Sequence, residues 1–188
     1  NTAPTYGVLA SPVLQTAPAS GGACAMVVHP NGQYAYVANG FAGTISQFTV
    51  NANGTLTAMA TPTVAAGTGV SSIAIDHTGR FAYAANPGSD SVSEYRIGAG
   101  GGLIPLINLS LPGAQPIAVY ANPTKDFLYV AHYGSTFIGQ YNIDPLNGTL
   151  SSQGLVAVGT APRAIVLHPD PATPFAYVVN EASQNVIQ

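Results

Sequence analysis

The chain repeats one pattern about every 47 residues, and this period constrains its fold more than any other feature. Four tyrosines mark the copies, at separations of 47, 46 and 48 residues: Tyr36, Tyr83, Tyr129 and Tyr177. A fixed period in this range is typical of repeat architectures, in which each unit buries its apolar face against its neighbours. The sequence therefore predicts four copies of one supersecondary unit.

Each copy reads as four short strands joined by turns. In the first copy we expect the strands near 25–30, 33–39, 44–50 and 54–60. The first two strands are almost continuously apolar, the third alternates between polar and apolar residues, and the fourth is the most polar. No segment holds an apolar period of 3.6 residues, so no helix longer than a turn is predicted.

This gradient from buried to solvated strands favours an all-β fold, a β-propeller of four-stranded antiparallel blades. A two-sheet sandwich is the less favoured alternative. We assign residues 1–188 to a single propeller domain or part of one, with an incomplete last blade and an outer strand at 8–15 that copies residues 55–62 in register. The predicted blades are about 24–62, 71–110, 117–157 and 163–188.

About four blades are thus present, and three arrangements accommodate them. The chain is a fragment of a larger ring, which we favour, or strand 8–15 closes a ring of four blades, or two chains meet edge to edge. The last two arrangements would cover the open edges of the end blades. If no closed ring forms, we expect the chain to self-associate through these edges.

The amino-acid composition limits the classes of partner that the protein is expected to bind. Only 6% of the residues are charged while 47% are hydrophobic, and the net charge is −3, so we expect neither nucleic acid binding nor a basic surface for anionic lipid. The apolar runs are too short for a membrane span. Scarce lysine with abundant Thr, Ser, Asn and Gly favours an extracytoplasmic location, meaning secreted, periplasmic or cell surface. The lone Cys24 is interpreted as a small buried apolar residue.

The repeated residues themselves are interpreted as structural. Each tyrosine lies in the middle of a second strand, where its ring can fill the gap between blades and its hydroxyl can reach a neighbouring backbone group. Asn39, Asn86 and Asn180 end those strands, where a short amide can bond nearby backbone.

Three stretches carry a family resemblance: HPNGQYAYVAN at 29–39, DHTGRFAYAAN at 76–86 and TISQFTVNANGTLT at 44–57. They resemble the YVTN-type repeats of lactonase-like seven-bladed β-propellers, a group that includes 6-phosphogluconolactonases and many secreted proteins of unassigned function. The resemblance covers essentially the whole chain. It implies a fragment of a seven-bladed ring and, as an activity, hydrolysis of a lactone.

The chain shows no paired nucleophile and base, no phosphate loop and no metal-ligand spacing. We therefore favour a binding or structural interaction module without cofactor or metal. A hydrolase acting on a sugar lactone is the alternative, so whether the protein is an enzyme stays open. The expected partner is a small polar ligand or a protein, at the face formed by the loops between second and third strands and the loops that enter each blade.

Departures from the repeat point to the candidate ligand-binding residues His132, Arg163 and Glu181. His132 stands where three sibling blades carry Asn, and the other two replace uncharged residues. A cation, an anion and an imidazole on one face can bind a polar ligand or polarise a lactone carbonyl. The alternative is an ordinary salt bridge between Arg163 and Glu181, with His132 as a neutral substitute for Asn.

Overall fold

The computed structural model describes residues 17–111, 113–168 and 175–188, which form four antiparallel sheets in chain order. The first blade comprises β1 (Ala23–Val28), β2 (Tyr34–Asn39), β3 (Thr44–Val50) and β4 (Leu56–Ala65). The second blade comprises β5 (Ser72–Ile75), β6 (Phe81–Asn86), β7 (Ser91–Ile97) and an outer strand in two pieces, β8 (Leu103–Pro105) and β9 (Leu109–Ser110).

The remaining two blades follow the same order. The third comprises β10 (Pro116–Ala121), β11 (Phe127–His132), β12 (Phe137–Ile143) and β13 (Leu150–Ala157). The fourth comprises β14 (Pro162–Leu167), β15 (Ala176–Asn180) and β16 (Asn185–Ile187). The predicted all-β class and four-stranded units are confirmed, and the predicted outer strand at 8–15 lies outside the described residues.

Helix is nearly absent from the part of the chain that the structure describes. It is limited to one 3-10 turn at Pro87–Ser89, as predicted. No described helix has the length and apolar character needed to cross a bilayer.

The first strands of successive blades contact one another, so they line the inner edge of the row. Loops that enter each blade and loops that join second to third strands share one side, which we call the loop face. The opposite side, formed by the turns between first and second strands and between third and fourth strands, is called the turn face.

Two of the four repeated tyrosines, Tyr36 and Tyr83, join adjacent blades as predicted, whereas Tyr177 is 36% exposed. The Tyr36 hydroxyl donates to the carbonyl oxygen of Gly101 at 2.6 Å, and the Tyr83 hydroxyl donates to that of Gly148 at 2.7 Å. Both tyrosines are fully buried. The first and second blades therefore each bond to the turn between the third and fourth strands of the blade that follows.

Two hydrophobic clusters fill the spaces between the first three blades. Ile45 and Ile73 lie in the cluster between the first and second blades, and Phe81 and Leu128 lie in the cluster between the second and third. Burial of these side chains is the main stabilising contribution, since each one contributes about 1.5–3 kcal/mol. The row of blades is therefore held together by apolar packing across each junction.

The two ends of the row are more open. Met26 is 51% exposed, whereas Ile73 and Val119, at the same repeat position, are each 7% exposed. Cys24 is also exposed, so its interpretation as a buried residue is wrong. It lies in β1, where its sulfur is 3.4 Å from the carbonyl oxygen of Ala38 and 3.2 Å from that of Val70, either of which can accept the single thiol hydrogen.

The glycine in the turn between third and fourth strands gives a direct test of blade packing. Gly148 has φ +80°, and an added Cβ would overlap the ring of Phe81 in the preceding blade. Gly54, with φ +82°, has no atom within 4 Å of its added Cβ among the described residues. We expect Gly54→Ala to lower the free energy of unfolding by about 1 kcal/mol, through the backbone alone.

Gly148→Ala should lower the free energy of unfolding by at least about 1 kcal/mol more than Gly54→Ala does, because the ring of Phe81 must also move in a packed core. Urea unfolding of both variants measures the difference. Equal losses would show that the junction does not depend on close contact at this turn.

Candidate functional site

The asparagine that ends the second strand of the second blade joins three parts of that blade. The Asn86 side-chain nitrogen donates to Ser91 Oγ at 3.2 Å and to Ser93 Oγ at 3.0 Å, both on the third strand. Its side-chain oxygen accepts from the backbone N–H of Gly67, in the loop that enters the blade, at 3.1 Å. Asn39 makes the equivalent bond to Ser46 Oγ at 2.9 Å. The amide is suited to this position because it donates and accepts at once.

The third blade replaces this network. His132 takes the place of the asparagine and is only 4% exposed, while Gly139 takes the place of the serine. A Cβ added to Gly139 would lie 2.7 Å from His132 Nε2. The imidazole therefore occupies space that exists only because residue 139 has no side chain, so the two departures from the repeat are coupled.

The loop that enters the third blade is also bonded differently. The Asp90 carboxylate, in the second blade, accepts from the backbone N–H groups of Gly113 and Gln115, each at 2.9 Å. Gly113 corresponds in the repeat to Gly67, which bonds instead to its own blade's asparagine. His132 Nε2 is consequently buried without a hydrogen-bond partner among the described residues. Burial lowers the pKa of His132, which favours the neutral imidazole.

Arg163 and Glu181 form an ion pair on the loop face. Their side chains meet at 3.4 Å between Nη1 and Oε2, and each is 54% exposed. The guanidinium lies 5.5 Å from the centre of the Tyr133 ring, in the third blade. A pair this exposed contributes at most about 1 kcal/mol to folding, so stability alone is a weak reason for its presence.

Backbone geometry brings the two charges together. The pairing of β14 with β15 is irregular between Pro162 and Ala164, so Arg163 is the extra residue of a bulge. The backbone N–H of Glu181 donates to the Ala161 carbonyl oxygen at 2.9 Å, which holds the loop after β15 against the loop before β14. Bulges of this kind redirect a side chain out of the regular sheet.

The structure brings together two of the three predicted residues. Arg163 and Glu181 meet, and the aromatic neighbour of the pair is Tyr133 rather than His132. No hydrogen bond connects the buried His132 Nε2 to either partner. The salt-bridge geometry of the alternative interpretation is present, and ligand binding by these residues stays a prediction.

Sequence reasoning missed two buried acids, Asp76 and Glu94, and the pKa of Glu94 is shifted. Glu94 is 3% exposed and stands where the sibling blades carry Gln47 and Gln140. Gln47 accepts from the backbone N–H of Leu103, in the next blade, at 2.6 Å. Glu94 accepts the equivalent bond from Leu150, but burial outweighs it and raises the pKa of this carboxyl to about 7. The sequence did carry a signal for this residue, because Glu94 is a Glu at a repeat position where the sibling blades have Gln.

Histidines on the turn face connect blades. His77 Nε2 lies 3.0 Å from Asp126 Oδ1, and His29 Nε2 lies 2.8 Å from the Gly79 carbonyl oxygen. Each pair joins one blade to the next. Among residues 17–111, 113–168 and 175–188, no three His, Cys, Asp or Glu side chains are grouped as a metal site would need.

A family model described as "Lactonase, 7-bladed beta-propeller" matches residues 5–157. The chain belongs to this lactonase family. The family's seven-bladed ring agrees with the four consecutive blades and their inter-blade tyrosines. No curated protein matches the chain in sequence.

Solved structures of similar fold include two putative 6-phosphogluconolactonases and a gluconolactonase. The protein from Bacteroides uniformis ATCC 8492 is 20% identical and has a TM-score of 0.76; the match covers 87% of this chain and 49% of the Bacteroides uniformis chain. That from Bacteroides fragilis NCTC 9343 is 26% identical, with a TM-score of 0.66 over 72% and 39%. The Pseudomonas aeruginosa periplasmic gluconolactonase is 24% identical, with a TM-score of 0.75 over 87% and 48%. The chain thus spans half or less of the length of each.

The coupling between His132 and Gly139 predicts a measurable interaction energy. His132→Asn alone places an amide where no serine can bond it, and Gly139→Ser alone forces a side chain against the imidazole. The double variant recreates the Asn86 and Ser93 pair of the second blade. We expect each single variant to lower the free energy of unfolding by about 1–3 kcal/mol.

The double variant should recover at least about 1 kcal/mol relative to the sum of the single variants. Urea unfolding of the four proteins completes the cycle. Additive losses would mean that the two departures are independent.

Glu94 predicts a pH-dependent stability. Its folded pKa of about 7 exceeds the ordinary 4.5, so the unfolded chain releases this proton first as pH rises. The contribution of Glu94 is therefore full below pH 4.5 and is lost as pH rises through 7, by no more than about 3 kcal/mol.

Glu94→Gln should remove this part of the pH dependence, and Gln47→Glu should introduce a similar one at the sibling site. The measurement is the unfolding free energy of each protein relative to the parent between pH 4 and 8. If the difference in unfolding free energy between the parent and Glu94→Gln does not change with pH, Glu94 does not have the raised pKa assigned to it.

Proposed function

We propose that the chain is part of a lactonase-like hydrolase that opens a sugar lactone. The observation that carries this is the lactonase family match over residues 5–157. Composition and repeats had favoured a binding or structural module, and the family match favours the alternative instead. The relative from Pseudomonas aeruginosa is by its name a periplasmic gluconolactonase, which supports an extracytoplasmic sugar lactonase as the proposal for this protein.

Arg163 and Glu181 are the residues we assign to the reaction. Hydrolysis adds water to the lactone carbonyl carbon, breaks the bond to the ring oxygen and yields a hydroxy acid. Glu181 is suited to take a proton from the attacking water, and Arg163 to stabilise the negative charge that develops on the carbonyl oxygen. The leaving ring oxygen then receives the proton as the carboxylic acid forms.

The charges near this pair favour an unphosphorylated substrate. A phosphate dianion is normally held by several Arg or Lys side chains. Arg80 and Lys125 belong to turn-face segments, and Arg96 lies in the third strand of its blade, which leaves Arg163 as the cation of the loop face in the described part of the chain. A neutral sugar lactone needs no second cation here.

Substitution of the ion pair tests the proposal. In the intact protein with glucono-1,5-lactone as substrate, we expect Arg163→Gln and Glu181→Gln each to lower kcat/KM by about 100-fold, because each removes charge stabilisation or proton transfer in the transition state. Acid release in a pH-stat measures the rate.

Arg80→Gln is the matched control. The Arg80 guanidinium lies 5.4 Å from the Phe81 ring centre, much as Arg163 lies over Tyr133, but it is on the turn face. The control should keep the parent's rate. If Arg163→Gln and Arg80→Gln are equally active, the catalytic site lies elsewhere.

A further inference from the structure

A cavity of about 400 Å³ lies between the outer part of the third blade and the loop that enters it. Its walls are mainly apolar, and its lining includes Leu111, His132, Phe137, Tyr141 and Leu155. Neither Arg163 nor Glu181 contributes to this lining. The cavity is therefore separate from the ion pair to which we assign hydrolysis.

The cavity exists because the entry loop stands further from the sheet in this blade than in the second and fourth blades. In the second blade a Cβ added to Gly67 would lie 2.6 Å from Asn86, and in the fourth a Cβ added to Gly159 would lie 2.7 Å from Asn180. Gly113, at the same repeat position, has no atom within 4 Å of its added Cβ among the described residues. The bonds from Asp90 hold this loop instead.

The imidazole of His132 is a buried polar group in the lining of the cavity, which also includes Ser110, Ser135 and Tyr141. It is 4% exposed, and its Nε2 has no hydrogen-bond partner among the described residues. A buried polar atom without a partner is costly, and a bound molecule that supplies the missing bond removes that cost. Asn86 avoids this cost because both ends of its amide are bonded. The side-chain oxygens of Asn39 and Asn180 also lack a partner among the described residues, but neither residue is among those that line this cavity.

We propose that this cavity binds a small neutral molecule with an apolar body and one hydroxyl group, of the phenol class, and that the hydroxyl hydrogen-bonds to His132. The volume is in the range of small-molecule sites, and mainly apolar walls with a few polar groups, here His132 and the hydroxyls of Ser110, Ser135 and Tyr141, are their usual composition. A charged ligand is disfavoured because none of the described residues that line the cavity is Lys, Arg, Asp or Glu. Burial also favours the neutral form of the imidazole, by lowering the pKa of His132.

The test compares p-cresol with toluene, which has the same ring and methyl group without the hydroxyl. Both are titrated into the intact protein while amide chemical shifts of the third blade are followed by NMR. We expect p-cresol to bind with a Kd of about 1 mM. Toluene should bind about fivefold to tenfold more weakly, as the loss of one hydrogen bond predicts.

Two variants locate the binding. His132→Phe keeps a ring and removes the hydrogen bond, so the affinity for p-cresol should fall to that for toluene. The double variant with Asn at 132 and Ser at 139 recreates the sibling network and should abolish binding of both compounds, even if His132→Phe fails to fold. Arg163→Gln should leave both affinities unchanged, which separates this site from the proposed hydrolytic site.

Several outcomes would overturn the proposal. Equal affinity for p-cresol and toluene would show that the imidazole makes no bond to the ligand. An absence of saturable shifts would mean that water alone fills the cavity. Unchanged p-cresol binding in the double variant would place the compound elsewhere on the protein.

Discussion

The bond between a buried tyrosine and the next blade is the interaction on which the rest of this structure depends. The hydroxyls of Tyr36 and Tyr83 each reach a glycine carbonyl 65 residues further along the chain, which is one blade plus the distance from second strand to turn. A ring inserted this way fixes both the spacing and the orientation of adjacent sheets. The apolar clusters between blades can pack closely only when that spacing is kept.

The sequence predicted the features that every blade shares. The period, the strand positions, the inter-blade tyrosines and the structural asparagines are repeated, so each copy supports the interpretation of the others. Features that depend on the partner in space were not predicted. The exposure of Cys24 depends on how closely its neighbours in space pack around it, and the network around Asn86 depends on a loop that no local pattern specifies.

The candidate site shows the same division. The departures at His132, Arg163 and Glu181 were visible in the repeat, and the contact between the two charges follows from their positions after β15 and at the start of β14. The separation of His132 from them could not be predicted. It results from the missing side chain of Gly139 and from the carboxylate of Asp90, one in the same blade and one in its neighbour.

The bonds from Asp90 have a consequence for how such repeats can be exchanged. Asp90 has φ +46° at the end of the 3-10 turn, and from there it binds the loop that enters the next blade. The third blade's distinctive arrangement is therefore encoded partly in the second. A recombination event that moved residues 116–157 alone into another propeller would leave the carboxylate behind, so the inherited unit that preserves this arrangement is a pair of blades.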